Sequence, residues 1–241
     1  MPTDRPLVLA HRGARRVAPE NTLAAFAAAR AQGADGIELD VRTTRDGEMV
    51  VHHDGAPSGG PVIADTPFAD LRAAWPAIPT LAEALDEGRG MLVNVEIKNL
   101  PWEPGFDADE RTADAVVDLL ADRGHADRVI VSSFNLPSVD RIRERLPDLD
   151  TALLFTRSAA FEQMIAVAVE RGHRALHPEV RGLDADAGAD WLAAAHAAGL
   201  AVNVWTVNDT VDVLRLAGFG VDGLVTDVPD VTLAALTAAA R

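Results

Sequence analysis

The stretch AGADWLAAAHAAGLAVNVWTVNDTVDVLRLAGFGVDGLVT, residues 187–226, decides the fold. It predicts a helix over 187–198 that stops at Gly199, a short apolar strand over 201–205, a helix over 210–216 and a second apolar strand over 223–226. A helix between two such strands returns the chain to the same end of the sheet, so the strands run parallel. The same alternation extends in both directions. Upstream strands are predicted over 7–10, 36–41, 91–97, 128–132, 151–155 and 175–177, and helices over 21–32, 81–87, 108–123, 138–146 and 161–171. A last helix covers 231–240. Residues 49–53 read as an added hairpin strand behind the turn Arg45-Asp46-Gly47-Glu48, because Asp-Gly favours a tight reversal. The segment 55–80 is rich in Gly, Pro and Asp and reads as loop with one short helix at 68–74.

Leaving the hairpin strand aside, eight strands each lead into a helix or helical connection. That pattern predicts an α/β protein of the (β/α)8 barrel type, one catalytic domain over residues 1–241. An open doubly wound sheet would bring a glycine-rich phosphate loop after its first strand; here His11-Arg12-Gly13 stands there instead.

The chain has 241 residues, 48% of them hydrophobic, enough for a large core, and a net charge of −15. Such a charge is repelled by nucleic acid and by anionic membrane surfaces. No cysteine is present, which excludes disulfides, thiol nucleophiles and thiolate metal sites. No apolar run reaches the roughly 20 residues of a membrane span. Residues 1–6 enter the first strand without a signal-peptide stretch, so a cytoplasmic protein without membrane insertion is the expectation. Oligomeric state has no signature in the sequence.

Two strands carry unusual charge. In Val93-Asn94-Val95-Glu96-Ile97-Lys98 the acid and the chain's single lysine share a face, since strand side chains alternate. The other basic side chains are arginines. A compact ammonium approaches a metal-bound phosphate or a carboxylate in a way that a planar guanidinium does not. In Gly36-Ile37-Glu38-Leu39-Asp40-Val41 two acids share the face opposite the apolar one. Buried like charges repel unless a cation lies between them. Glu38, Asp40 and Glu96 together make a hard oxygen site suited to one divalent cation, Mg2+ or Ca2+.

In a (β/α)8 barrel the active site lies at the C-terminal strand ends. The polar and aromatic residues recur there: His11 and Arg12, Glu38 and Asp40, Glu96 and Lys98, Ser133 and Phe134, His177 and Glu179, Trp205, and Asp227. His177 is placed to line a substrate pocket, and Trp205 to form an apolar wall. His125, His173 and His196 fall in helix ends or loops and are expected at the surface. Asn21 or Thr22 caps the first helix. For Asn21 a cap is favoured over a role in the site, with Glu20 acting on the helix dipole.

The ordered set Ala10-His11-Arg12-Gly13, Pro19-Glu20-Asn21-Thr22, Glu38-Leu39-Asp40, His53-Asp54 and Glu96-Ile97-Lys98 resembles the successive signatures of glycerophosphodiester phosphodiesterases. The resemblance continues through Ser132-Ser133-Phe134-Asn135, Trp205-Thr206-Val207-Asn208 and Thr226-Asp227-Val228-Pro229. It implies a (β/α)8 barrel and metal-dependent hydrolysis of a small-molecule phosphodiester to an alcohol and glycerol 3-phosphate. It selects His53 over its neighbour His52. It also implies an acid–base pair of His11 and His53, a phosphate contact from Arg12, and a point charge from Lys98 where negative charge grows. The substrate's own 2-hydroxyl as first nucleophile, giving a cyclic phosphate, is a route that the resemblance leaves open.

The resemblance breaks at Gly55-Ala56-Pro57-Ser58-Gly59-Gly60-Pro61, where relatives carry an Asp-Arg-Thr-rich stretch. That loop bears on substrate identity. Two other readings stand beside the first. One is a lysophospholipase D-type enzyme, which needs an apolar patch at the barrel mouth that Trp75 and Trp102 could supply. The other is a non-catalytic anion-binding barrel, which has no use for a matched acid–base pair.

Overall fold

The computed structural model describes residues 5–124, 128–183 and 188–240. Eight parallel strands close on themselves: β1 (Leu7–His11), β2 (Gly36–Thr43), β4 (Leu92–Ile97), β5 (Val129–Ser133), β6 (Asp150–Phe155), β7 (Ala175–Pro178), β8 (Ala201–Val204) and β9 (Gly223–Thr226). Closure is made by β1, which pairs with β9 on one side and β2 on the other. The extra strand β3 (Met49–Val51) runs antiparallel to the C-terminal half of β2. The turn between them has Gly47 at φ +90°, a conformation that glycine adopts without strain.

The helices α1 (Leu23–Ala31), α2 (Phe68–Ala74), α3 (Leu81–Glu87), α4 (Arg111–Arg123), α5 (Leu136–Arg145), α6 (Phe161–Arg171), α7 (Gly188–Ala197), α8 (Thr210–Phe219) and α9 (Pro229–Ala239) follow the strands. The apolar face of each strand points out toward them. Ile37, Leu39 and Val41 of β2 and Val93, Val95 and Ile97 of β4 pack with Phe26 of α1, Leu81 of α3 and Leu120 of α4. A second apolar layer joins Leu176, Val202, Val204 and Leu224 to α6, α7 and α8. Each such side chain contributes about 1.5–3 kcal/mol on burial. The opposite faces of the same strands point into the barrel. The register places Glu38 beside His11 and Asp40 beside Glu96.

Two local readings change. The N-cap of α1 is Thr22, whose hydroxyl accepts from the Ala25 amide, and not Asn21. His173 is buried at 4% exposure, between Thr151 and Asp140. It tucks beneath β6 because a hydroxyl and a carboxylate there satisfy both ring nitrogens. On α1 the buried residues are Ala25, Phe26 and Ala29, while Leu23 and Ala27 face out. His196 is exposed and pairs with Asp222. His125 and the first residue of the helix predicted at 187 lie outside the described residues.

The loop from β1 to α1 turns at Gly13, with φ +78°; a Cβ there would lie 2.7 Å from Ala25. Both the dihedral and the close packing demand glycine. Gly13→Ala should cost about 1–3 kcal/mol and lower the midpoint of thermal unfolding by several degrees; an unchanged midpoint would contradict this account of the loop.

Candidate active site

The functional side chains meet because β1, β2 and β4 are neighbours and end at the same level. Glu38, Asp40 and Glu96 are all buried, and each offers an oxygen within 4.8 Å of the others. Two cations touch them. Lys98 Nζ lies 2.8 Å from Glu96 Oε1 and 3.7 Å from Asp40 Oδ1. Arg12 approaches Asp40 Oδ2 with Nε at 3.3 Å and donates its main-chain N–H to Glu38 Oε2 at 3.0 Å. Glu38 Oε1 and Asp40 Oδ1 accept no hydrogen bond. Buried carboxylate oxygens left in this way are costly unless a cation takes them.

The electrostatics follow from that shortage. Burial, then Asp40 and Glu96, push the Glu38 carboxyl well above the usual carboxylate range. Burial pushes Glu96 up to about 7, although Lys98 opposes it. Asp40, at 1% exposure, is held below the usual range. Burial works against its ionisation, but Lys98, Arg12 and a hydrogen bond from Asn21 outweigh it.

Asn21 was missed as a site residue. It is buried at φ +56°, donates Nδ2–H to Asp40 Oδ2 at 2.8 Å and accepts the Asp40 N–H at 3.3 Å. Glu20 pairs with Arg12 and Arg15 rather than serving the helix dipole. The signal available was Pro19-Glu20-Asn21-Thr22 as a unit, in which a helix cap accounts for only one residue.

The histidines face the same cavity, which holds about 130 Å³ and is lined by His11, Arg12, Glu38, His53, Glu96 and Lys98, with Phe134, His177 and Trp205 on the far wall. His11 Nδ1 is 2.7 Å from Asp227 Oδ1, and its Nε2 lies 4.0 Å from Glu38 Oε2. Asp227 is fixed in turn by Asn208, which donates to Oδ2 at 2.8 Å. A histidine bonded at Nδ1 to a carboxylate has its tautomer and ring orientation set. His53 repeats the pattern with Asp54 at 2.7 Å, while His52 turns away to the Asp54 carbonyl. Burial lowers the His53 pKa, which favours the neutral imidazole.

The far wall is built mainly of aromatic and aliphatic side chains. Phe134 and Trp205 meet edge to face at 5.5 Å, and Lys98 Nζ lies 5.9 Å from the Phe134 ring centre. Trp205 donates its indole N–H to the His177 carbonyl at 2.7 Å. His177 is buried; burial pushes its pKa down to about 3, so the ring is neutral. Asn203 Nδ2 donates to its Nε2 at 2.9 Å. The proton therefore sits on Nδ1, which has no partner.

A larger cavity of about 330 Å³ lies beside the first, between β2, the 55–64 segment and α4; Arg42, Arg45 and Arg111 line it, and no histidine does. It has charge but lacks the paired histidines of the smaller cavity. Of the two tryptophans expected at the mouth, Trp75 packs half-buried with Phe68, Leu71 and Ile78, and Trp102 is 78% exposed. No helix among the described residues is long and apolar enough to cross a membrane.

Residues 11–231 match the glycerophosphoryl diester phosphodiesterase family. The chain belongs to that family. It is 31% identical to a glycerophosphodiester phosphodiesterase of Caldanaerobacter subterraneus subsp. tengcongensis, over 94% of this chain and 96% of that one. It is 32% identical to a probable glycerophosphodiester phosphodiesterase of Mycobacterium tuberculosis, over 95% of this chain and 92% of that one. Among solved structures it resembles an Oleispira antarctica phosphodiesterase in complex with the product sn-glycerol-3-phosphate. That match has TM-score 0.84, 29% identity and 97% coverage of each chain.

The raised carboxyls set a pH dependence of stability. A group whose folded pKa lies above its unfolded value stabilises fully below the unfolded pKa and loses that contribution as pH rises through the folded one. For Glu96 the loss runs upward through about pH 7. In a chelating buffer the wild-type protein should therefore lose more thermal stability between pH 6 and pH 8 than Glu96→Gln does. Parallel profiles for the two proteins would show that Glu96 is an ordinary carboxylate.

Proposed function

We propose that this chain is a glycerophosphodiester phosphodiesterase that hydrolyses a small diester to an alcohol and glycerol 3-phosphate, with one divalent cation, Mg2+ or Ca2+. The reading takes residues 1–241 as one catalytic barrel. The observation that carries it is the pair of buried carboxylate oxygens without a hydrogen bond, Glu38 Oε1 and Asp40 Oδ1, clustered with Glu96 beside a cavity that Glu38, Glu96 and two carboxylate-bound histidines line. Family membership and the product complex of the Oleispira relative support the substrate class.

Charge balance points the same way. Counted as ionised, the three carboxylates outnumber Arg12 and Lys98 by one, and Arg12 is shared with Glu20. Glu38, Asp40 and Glu96 would hold the cation, and the site would then carry a positive charge matched to a phosphodiester anion. When bound, a divalent cation polarises a phosphoryl oxygen and stabilises charge on it. The remaining work belongs to side chains. Arg12 and Lys98 bind and orient the phosphate. Nδ1 of His11 and of His53 is taken by a carboxylate, so each ring exchanges its proton through Nε2. One histidine accepts the proton of the attacking hydroxyl, from water or from the substrate itself. The other returns a proton to the departing alkoxide as the phosphorus–oxygen bond breaks. Phe134 and Trp205 would exclude water from the far side, where His177 also lines the cavity.

One observation favours a lipid diester as a second substrate class. Trp102 and Phe106 are exposed on the segment that follows β4, and both are large and apolar. Lysophospholipids presented with and without detergent micelles separate the two classes.

The purified protein should release glycerol 3-phosphate from glycerophosphocholine with Mg2+ or Ca2+, and not with chelator. His53→Ala should lower kcat by about 10²–10⁴-fold with thermal stability close to wild type. Turnover by His53→Ala at the wild-type rate would remove His53 from the reaction. Cation-independent turnover would remove the cation.

A further inference from the structure

His53 lies outside any strand or helix, although it must aim its ring. β3 ends at Val51, the His52 N–H still bonds to the Asp40 carbonyl, and no regular element begins again until Ile63. The carboxylate on its ring, Asp54, has a side chain that is 75% exposed, so water competes for that hydrogen bond. The firm hold comes from elsewhere. Arg42 donates both Nε–H and Nη2–H to the His53 carbonyl, at 2.9 and 2.6 Å. Its Nη1 also reaches the Lys98 carbonyl at 3.5 Å, and Nη2 donates to Glu103 Oε2.

Arg42 lies on β2, two residues beyond Asp40, and is only 6% exposed. A buried guanidinium costs several kcal/mol unless its hydrogen bonds are met. An apolar residue such as the Val50 opposite it would satisfy the strand pairing as well. What an arginine adds is a rigid planar fork that closes on one carbonyl with two N–H groups. These bonds join the strand that carries two carboxylates to the loop that carries a histidine and to the strand end that carries the lysine. Glu103 closes the far side of the fork from the segment after β4.

We propose that Arg42 is a positioning residue that fixes the His53 imidazole over the reacting phosphate, and that Glu103 is the latch that holds the Arg42 fork. The inference rests on the phosphodiesterase reading for what His53 does, but not for where Arg42 holds it. Displacement of a catalytic group by about 1 Å costs on the order of 10²-fold in rate; the Lys98 carbonyl, 3.5 Å from Nη1, is held far more loosely than the His53 carbonyl, so the cation ligands and the phosphate contacts stay in place. Loss of Arg42 therefore acts on kcat and leaves KM close to wild type.

The test is a double-mutant cycle on glycerophosphocholine hydrolysis, with Arg42→Gln, His53→Ala and the pair, read as kcat and KM. Arg42→Gln should lower kcat about 10²-fold with KM within a few-fold of wild type. On the His53→Ala background it should lower kcat less than 2-fold, because a residue that acts through another gives non-additive losses. Arg42→Lys should recover part of kcat, and Glu103→Gln should lower it in the same direction. An unchanged kcat in Arg42→Gln, or an equal loss with and without His53, overturns the proposal. If Arg42→Gln does not fold, wild-type kcat in both Arg42→Lys and Glu103→Gln overturns it. A second readout needs no turnover: the His53 ring proton resonances should be single and sharp in wild type and broadened in Glu103→Gln and Arg42→Lys. Identical spectra overturn the proposal. A wild-type protein inactive on every diester refutes the functional reading instead, and the spectra then decide on Arg42 alone.

Discussion

Three buried carboxylates share one end of a barrel, and most of the site exists to hold them there. Glu38, Asp40 and Glu96 repel one another in a place that little water reaches. Separately, each would take up a proton or force the strands apart. The chain answers with a full set of compensations. Lys98 leans on Glu96 and Asp40, Arg12 bridges Asp40 and Glu38, and Asn21 locks the Asp40 side chain to its own backbone. Even so, Glu38 and Glu96 remain poor acids. That residual shortage of positive charge is the most informative property of the site. In the proposed function a divalent cation would answer that shortage, and the loaded pocket would accept a phosphodiester anion.

The barrel is what makes this arrangement affordable. The pairing of β1 with β2 and of β2 with β4 brings three strand ends to one level, and alternation sends every acid inward while Ile37, Leu39, Val95 and Ile97 go outward. The loop after β1 is bent hard at Arg12 and Gly13, both at positive φ. That bend directs the Arg12 N–H at Glu38 and its side chain at Asp40. On the other side, Asp227 at the end of β9 reaches back to His11 across the seam where the barrel closes. Closure therefore supports both the fold and the orientation of a histidine. Arg42 extends the same principle to His53, which sits on a loop the sheet does not reach.

Most of the barrel was legible in the sequence because its strands are short, apolar and regularly interrupted by helices. The strand at 223–226 and the helices at 81–87 and 161–171 agree with the structure at both ends. The acidic triad was legible for a different reason: alternation is a strict geometric rule, so Glu-x-Asp and Glu-x-Lys on buried strands state which side chains meet. Legibility failed where a residue's role depends on a partner distant in sequence. Asn21 has the composition of a helix cap and the position of a cap, yet its side chain turns inward to Asp40. His173 precedes β7 in a loop, and only the fold shows that Thr151 and Asp140 surround it. Arg42 reads as an ordinary strand residue until the 53 and 98 carbonyls are seen beside it. The acid–base assignment of the two histidines has no signature in either, since both rings are bonded to carboxylates in the same way.

As a proposed cation site, the carboxylate cluster must lose its protons before the cation enters. Calorimetric titration of Mg2+ and of Ca2+ into the protein at pH 7, in two buffers of different ionisation enthalpy, tests it directly. One ion should bind with release of protons, more tightly as pH rises from 6 to 8, and Glu38→Gln should abolish that binding. Binding of equal strength in Glu38→Gln, or binding without proton release, would contradict the account.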